Sequence, residues 1–218
     1  MLQEIVHGPD CPKTGHDRSV ELLLRAARLK VKFGRQVIFI MGNHDLAQMT
    51  GNEIAKEGRG ACKAFVAGVE YCFGDDAAEV LEAVGAFQAS MPLAVRCPNR
   101  VLISHSLPSP YRMELAGTEI LTRGYKQDDM SRGGPAYEWT WGRDQTDEQT
   151  DMLAEMLDVD FFLLGHRKVE NWELVTSRAV AIAADTLRGC VVEFGTADTV
   201  NAETIQQHVR LLAEIRRG

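Results

Sequence analysis

The sequence has few cysteines, and their spacing fits neither a disulfide framework nor a structural zinc site. Their number is odd and no Cys-x-x-Cys pair occurs; they lie at Cys11, Cys62, Cys72, Cys97 and Cys190. Scattered cysteines of this kind are typical of proteins from reducing compartments. The N-terminal residues also lack a basic stretch followed by a long apolar one, so we see no secretory signal. We therefore expect a cytoplasmic protein.

Long apolar runs and an excess of positive charge are also absent. No apolar run approaches the roughly 20 residues that a membrane-spanning helix needs, and the mean hydropathy is −0.17. The 24 Lys and Arg residues face 31 Asp and Glu residues, which gives a net charge of −7. Proteins that bind nucleic-acid backbones normally carry a basic excess. We expect no membrane partner and disfavour a nucleic-acid partner, and we interpret the local basic run at 13–35 as a solvated helix face.

The composition and length that remain are those of one globular domain. Hydrophobic residues make up 45% and charged residues 25% of the chain, as in ordinary globular proteins. A chain of 218 residues suits a single domain. We divide it into a core over 1–200 and a C-terminal helix over 201–218, where apolar residues recur at helical spacing.

The hydrophobic patterns alternate between helix and strand, which predicts an α/β fold with helices packed on sheets. The predicted helices cover 19–32, 46–57, 61–71, 76–89, 146–157 and 201–217. The predicted strands cover 37–41, 101–103, 161–164, 179–184 and 190–194, and a turn at 187–189 would join the last two as a hairpin. The aromatic-rich stretch at 127–144 is interpreted as a long loop over a site.

Three of the apolar strands end in the same way. The strand at 37–41 is followed by Gly-Asn-His-Asp at 42–45, the strand at 101–103 by Ser104-His105, and the strand at 161–164 by Gly165-His166. Ligand sites of α/β sheets lie at the carboxyl ends of strands. One such histidine alone is more often structural, but three together favour a metal site. Imidazole nitrogens with amide or carboxylate oxygens suit Mn²⁺, Fe or Zn²⁺.

The tetrapeptide at 42–45 resembles the Gly-Asn-His-Asp/Glu signature of calcineurin-like metallophosphoesterases, which include the protein Ser/Thr phosphatases. Further similar motifs follow in the family's order, at 87–94, 103–105, 141–143 and 165–166. The resemblance spans about residues 1–194. It implies a β-sandwich flanked by helices, in four layers α/β/β/α.

The resemblance also implies a reaction and roles for individual residues. Asn43, His105 and His166 would bind one metal of the family's pair, His44 would be the general acid, and Asp45 would orient the His44 ring. The implied function is hydrolysis of a phosphoester by a metal-activated water, with His44 protonating the leaving oxygen. The expected partner is a phosphorylated substrate, a phosphoprotein or a small phosphoester, and the sequence leaves a phosphoprotein, a dinucleoside polyphosphate and a small phosphomonoester all open.

The start of the chain departs from the family pattern, because no Asp-x-His occurs. Glu4 stands where the family's metal-bridging Asp would be. The alternative interpretation is that Glu4 is only a solvated charge near the N-terminus. Arg18 and Arg143 would bind phosphate, since guanidinium groups offer paired donors. Asp17 either belongs to this motif or caps the helix that begins at Ser19.

In the family, Asp-x-His ends the first strand and supplies two ligands of the first metal, and this strand is missing from the sequence. Its absence has two explanations. Either the reading frame begins further upstream, or the first metal site is lost; we favour the first, because a sheet without a central strand exposes unpaired backbone groups. The intact family is dinuclear, and this chain is expected to bind at most one metal well. The alternative function is a non-catalytic module that binds phosphate or protein on a degenerate phosphatase scaffold.

Overall fold

The computed structural model describes residues 1–56 and 58–215. The chain forms two compact units, Met1–Pro92 and Leu93–Gly218. The assignment of the whole chain to a single domain stays a prediction. Both units mix helices and strands, as the predicted α/β class requires. No helix in the described part of the chain has the length and apolarity to cross a membrane.

The first unit connects short strands through longer helices. Its strands are β1 (Leu2–Gln3), β2 (Phe39–Ile40), β3 (Ala55–Lys56) and β4 (Arg59–Gly60). Its helices are α1 (Ser19–Phe33), α2 (Asn43–Thr50), α3 (Ala61–Phe73) and α4 (Ala77–Ala89), with 3-10 turns at Gly34–Gln36 and Gly74–Asp76. β1 pairs with β2 in parallel, whereas β3 and β4 form an antiparallel pair.

Apolar residues at helical spacing hold the first unit together. The buried stripe of α1 consists of Val20, Leu23 and Ala26, as expected for an amphipathic helix. This stripe belongs to a core that also includes Phe65 and Val69 of α3. The helices predicted over 19–32, 61–71 and 76–89 are confirmed.

The helix predicted over 46–57 is confirmed only as far as Thr50. Gly51 adopts φ +68° and ends α2 in the left-handed conformation that glycine tolerates without a steric penalty. The chain then forms the β3–β4 pair, so the predicted continuation is wrong. Residue 57 lies outside the described residues.

The second unit carries the larger sheet. Its strands are β5 (Ala94–Arg96), β6 (Val101–Ser104), β7 (Phe161–Leu164), β8 (Trp172–Thr176), β9 (Ala179–Ile182), β10 (Cys190–Val192) and β11 (Val209–Leu211). Its helices are α5 (Met113–Ala116), α6 (Gln127–Met130), α7 (Pro135–Trp141), α8 (Asp147–Leu157) and α9 (Ile205–His208), with 3-10 turns at Pro110–Arg112, Glu119–Leu121 and Leu212–Glu214.

Five of these strands form one sheet in the order β5-β6-β7-β9-β8. The three central strands β6, β7 and β9 run parallel, and the edge strands β5 and β8 are antiparallel to their neighbours. All four residues of β7 are buried, as is typical of a central parallel strand. The strands predicted at 101–103 and 161–164 are confirmed and lie side by side.

Two predictions for the C-terminal part are wrong. β9 and β10 do not form a ladder with each other, because β8 and β7 pair with the two edges of β9 and β10 pairs with β11. The helix predicted over 201–217 is confirmed only for α9, since the next residues pair with β10. Val209, Arg210 and Leu211 alternate apolar, polar and apolar, and this period of two also fits a strand. Residues 216–218 lie outside the described residues.

The stretch predicted as a loop over 127–144 contains the short helices α6 and α7. Trp139 of α7 is completely buried, and its indole N–H donates to the carbonyl of Gly117 across 2.8 Å. Trp141 lies on the same helix, where it stacks on Tyr137 with ring centroids 5.3 Å apart. Trp139 therefore packs the interior of the unit.

Candidate active site

The predicted motif at 42–45 forms the first turn of α2. Gly42 is the residue before the helix, and the Asp45 carboxylate reaches back to accept from its amide across 3.1 Å. The same oxygen accepts from the amide of Glu4 across 3.2 Å. A Cβ at residue 42 would overlap the Glu4 side chain, so glycine allows the end of β1 to approach α2 closely.

Asp45 is almost completely buried, and this changes its protonation. Burial, followed by the nearby charge of Glu4, raises the pKa of Asp45 to about 7, and the hydrogen bonds from Gly42 and Glu4 oppose this rise. The hydrogen bonds of its carboxylate tie together the amides of Glu4 and Gly42, with Gln88 Nε2 3.5 Å from the second oxygen. The role of Asp45 in orienting the His44 ring stays a prediction.

Glu4 contributes its carboxylate to the same turn. Its Oε1 accepts from the amide of His44 across 2.9 Å, which places a negative charge at the N-terminus of α2, where the helix dipole favours it. Glu4 also adopts φ +49°, an uncommon conformation for a residue with a side chain. The structure thus places Glu4 next to Asn43 and His44 within the first unit.

One partner of the His44 ring is His7, which the sequence motifs do not single out. Nδ1 of His7 lies 2.8 Å from Nδ1 of His44, and Nε2 of His7 lies 2.9 Å from Oε1 of Gln48. His7 is completely buried and has φ +58°. The sequence carries one signal for this contact. His44 and Gln48 are four residues apart on α2, so they lie on the same helix face and can contact one common partner.

Arg18 lies immediately before α1, and its guanidinium forms an ion pair with Glu21. Arg18 side-chain exposure is 36%, so the group is at the surface of its unit. The preceding Asp17 is buried and accepts from the amide of Ser19 across 2.8 Å. This hydrogen bond forms a turn that leads into α1. The N-cap position of α1 is Arg18, which makes no side-chain capping bond.

In the second unit, the parallel pairing of β6 and β7 brings two predicted ligands together. Ser104 pairs with Leu164 at the carboxyl end of the ladder, so His105 and His166 follow neighbouring strands. Nε2 of His105 lies 3.1 Å from Nδ1 of His166. His105 is almost completely buried, and His166 adopts φ +62°.

Arg143 contacts the outer nitrogen of this pair, donating from Nε to Nε2 of His166 across 2.8 Å. Because Nε2 accepts, a neutral His166 carries its proton on Nδ1 and donates it toward Nε2 of His105. The pKa of His105 falls to about 3 through burial and then the charge of Arg143. The pKa of His166 also falls to about 3, through burial and then the charges of His105 and Arg143.

The two histidines have the chemistry that a divalent cation requires. Metal-binding imidazoles must be unprotonated, and both rings are neutral at ordinary pH. Two nitrogens that bind one cation at about 2.1 Å lie about 3.0–3.4 Å apart, and this pair is 3.1 Å apart. The spacing of His105 and His166 therefore fits two ligands of one ion. Binding through Nδ1 of His166 would require its proton to move to Nε2 and Arg143 to release that atom.

Within the described part of the chain, acidic, histidine and cysteine side chains alone do not form a complete metal centre. In the ranges 1–56 and 58–215, no three His, Cys, Asp or Glu residues form a group that could hold a metal ion. The prediction that Asn43 shares a cation with His105 and His166 joins residues of the two units, and it stays a prediction.

Two solved structures share this fold. A protein serine/threonine phosphatase from Saccharomyces cerevisiae is 14% identical, with a TM-score of 0.60 over 88% of this chain and 64% of its own. A cold-active protein-tyrosine phosphatase from a Shewanella species is 16% identical, with a TM-score of 0.50 over 84% of this chain and 58% of its own. This chain thus spans less than two thirds of either protein's length.

Sequence comparison finds neither a matching family model nor a matching curated protein. The two structural matches confirm the resemblance drawn from the motifs at the level of the fold: the chain has a phosphatase-like, phosphoesterase-type α/β fold.

Proposed function

We propose that this chain is a metal-dependent phosphoester hydrolase. The observation that supports the proposal most directly is the pair of facing, neutral imidazoles of His105 and His166 beside Arg143. They follow adjacent parallel strands, which is where α/β folds hold their ligands. Asn43 is the proposed third ligand, and the proposed substrate is a phosphoprotein or a small phosphoester.

The cation would be Mn²⁺, Fe or Zn²⁺, because these ions accept imidazole nitrogens together with amide or carboxylate oxygens. When bound, it would supply Lewis acidity and neutralise phosphate charge. The protein supplies the remaining groups. His44 is the proposed general acid, which protonates the leaving oxygen, and Arg143 offers its guanidinium N–H groups to phosphate oxygens.

The test compares metal content and turnover of two histidine variants of the second unit. His105→Ala is expected to lose bound metal and most hydrolysis of p-nitrophenyl phosphate. The matched control is His208→Ala, because His208 lies near the carbonyl oxygens of Glu193 and Thr199. If His105→Ala keeps the metal content and turnover of the wild type, the proposed role of this histidine pair is wrong.

One observation favours the alternative, a non-catalytic phosphate- or protein-binding module. Two residues that the resemblance assigns to metal and phosphate binding are engaged within the first unit, since Glu4 accepts from the His44 amide and Arg18 pairs with Glu21. Such a module would bind inorganic phosphate without turnover. Phosphate binding measured by calorimetry on the metal-loaded protein, together with the absence of hydrolysis, would identify it.

A further inference from the structure

We propose that His7 is a positioning residue, which together with Gln48 determines which nitrogen of His44 exchanges a proton with the substrate. The inference rests on the proposed function in that His44 is the general acid. It adds a residue that neither the motifs nor the family resemblance pointed to. Its basis is the chain of contacts Gln48–His7–His44, with separations of 2.9 and 2.8 Å.

With the amide oxygen of Gln48 facing His7, the directions of these hydrogen bonds follow. The Oε1 atom of Gln48 only accepts, so Nε2 of His7 carries a proton and donates it. A neutral His7 then has its lone pair on Nδ1, which accepts from Nδ1 of His44. The neutral His44 is therefore the Nδ1–H tautomer, and its own lone pair is on Nε2.

This tautomer has a direct consequence for proton transfer. A second proton taken up by His44 must sit on Nε2, because Nδ1 already holds one. In the hydrolysis, a water oxygen forms the new P–O bond and gives up a proton to solvent. As the P–O bond to the leaving group breaks, its electron pair stays on the leaving oxygen, which takes the Nε2 proton. His44 returns to the neutral Nδ1–H form, so the His7 contact is the same before and after the reaction.

The surroundings keep His7 in this orientation. Its ring is completely buried and packs edge-on against Phe65 of α3, with ring centroids 6.0 Å apart. His44 and Gln48 project from the same face of α2, so one helix presents both contacts. His7 thus holds the His44 ring through a neutral acceptor, whereas the Asp45 carboxylate accepts from the amides of Glu4 and Gly42.

The decisive measurement is the tautomer of His44 by long-range ¹H–¹⁵N correlation of its ring, on the full chain with and without added Zn²⁺. We expect Nδ1–H in the wild type. Gln48→Met removes the acceptor and is expected to move His44 toward the Nε2–H form that histidine favours in water. Gln48→Glu keeps an acceptor and is expected to retain Nδ1–H. A wild-type His44 in the Nε2–H form would overturn the proposal.

Turnover gives a second readout. His7→Leu and Gln48→Met are expected to lower kcat about tenfold or more for phenyl phosphate, with little change in KM and a smaller loss for p-nitrophenyl phosphate, whose leaving group needs less protonation. His7→Asn, which retains an acceptor near the Nδ1 position, is expected to recover part of the rate. The control is His16→Leu, which removes a histidine stacked on Tyr71. Equal losses for both substrates would contradict the positioning role.

These readouts separate the two proposals. If the tautomer behaves as expected but no variant or wild-type protein hydrolyses either substrate, the proposed function fails and the His7 contact stands as structure only. If the protein is active but His7→Leu leaves both the tautomer and the rate unchanged, the inference about His7 fails while the proposed function stands.

Discussion

Arg143 donates a hydrogen bond from Nε to Nε2 of His166 across 2.8 Å. This contact holds a fixed positive charge against a ring that we propose as a cation ligand. The carbonyl of Arg143 in turn accepts from Arg167 across 2.8 Å. Arg143 therefore has two opposing effects, because its charge attracts phosphate and repels a metal ion.

Replacing Arg143 is expected to separate these two effects. In Arg143→Gln, the affinity for Zn²⁺ measured by calorimetry should rise about tenfold, which corresponds to about 1.4 kcal/mol of removed charge repulsion. The KM for p-nitrophenyl phosphate should rise, because a phosphate donor is lost. The control is Arg188→Gln, since Arg188 is exposed and pairs with Glu170. Unchanged or weaker Zn²⁺ binding in Arg143→Gln would contradict the arrangement.

The second prediction concerns the buried carboxyl of Asp45. Its pKa is raised from 3.8 to about 7, mainly by burial. The folded protein then holds this proton more tightly than the unfolded chain does. The contribution of Asp45 to the free energy of unfolding is therefore largest below about pH 4 and falls as the pH rises to about 7. A shift of this size corresponds to about 4 kcal/mol as an order of magnitude.

Asp45→Asn removes this titration and retains an acceptor for the amides of Glu4 and Gly42. Its free energy of unfolding relative to the wild type should therefore increase between about pH 4 and about pH 7. Urea unfolding followed by circular dichroism measures the difference at each pH. A stability difference that does not change with pH would show that Asp45 is ionised throughout this window.

The sequence allowed prediction of those parts of the candidate site that follow apolar strands. β6 and β7 are short runs of buried residues, and each is followed by a histidine, so strand pairing alone brings His105 and His166 together. His7 was not predicted, because its burial depends on packing against α2 and α3. An isolated histidine in an irregular segment carries no periodic signal that would reveal such packing.

The errors in the fold have a similar cause. Apolar residues at 205, 209, 212 and 215 have the spacing of a helix. Residues 209–211 also alternate between apolar and polar, which is the pattern of a strand. Tertiary pairing of β11 with β10 decides between the two patterns. By contrast, the predicted start of α8 depends on a local hydrogen bond, which the sequence does encode.

That local bond is the basis of the third prediction. The Thr146 hydroxyl accepts from the amide of Gln149 across 3.2 Å and caps α8. Thr146→Ala should lower the free energy of unfolding by about 1 kcal/mol, the usual effect of losing such a cap. Urea unfolding followed by tryptophan fluorescence reports on this unit, which contains Trp139 and Trp172. Thr146→Ser keeps the hydroxyl and should retain most of the stability; an equal loss in both variants would exclude capping as the cause.

The fourth prediction compares two glycines inside helices of the first unit. Gly68 of α3 lies against the backbone of Asp17, and a Cβ at this position would overlap the Asp17 carbonyl oxygen. Because neither the helix nor that backbone can move without disturbing the core, Gly68→Ala should lower the free energy of unfolding by about 1–3 kcal/mol. Gly85 of α4 has no atom within 4 Å of an added Cβ. Gly85→Ala should therefore stabilise the protein by about 0.5–1 kcal/mol through helix propensity.

Urea unfolding followed by circular dichroism compares the two variants with the wild type, since the three tryptophans all lie beyond residue 92. Opposite signs for the same substitution would show that α3 packs directly on the segment leading into α1. The close approach matters for the site, because Asp17 forms the turn that leads into α1 and Phe65 of the same helix α3 packs on His7. If Gly68→Ala is instead as stable as Gly85→Ala, α3 does not approach Asp17 this closely, and the packing that buries His7 would have to be reconsidered.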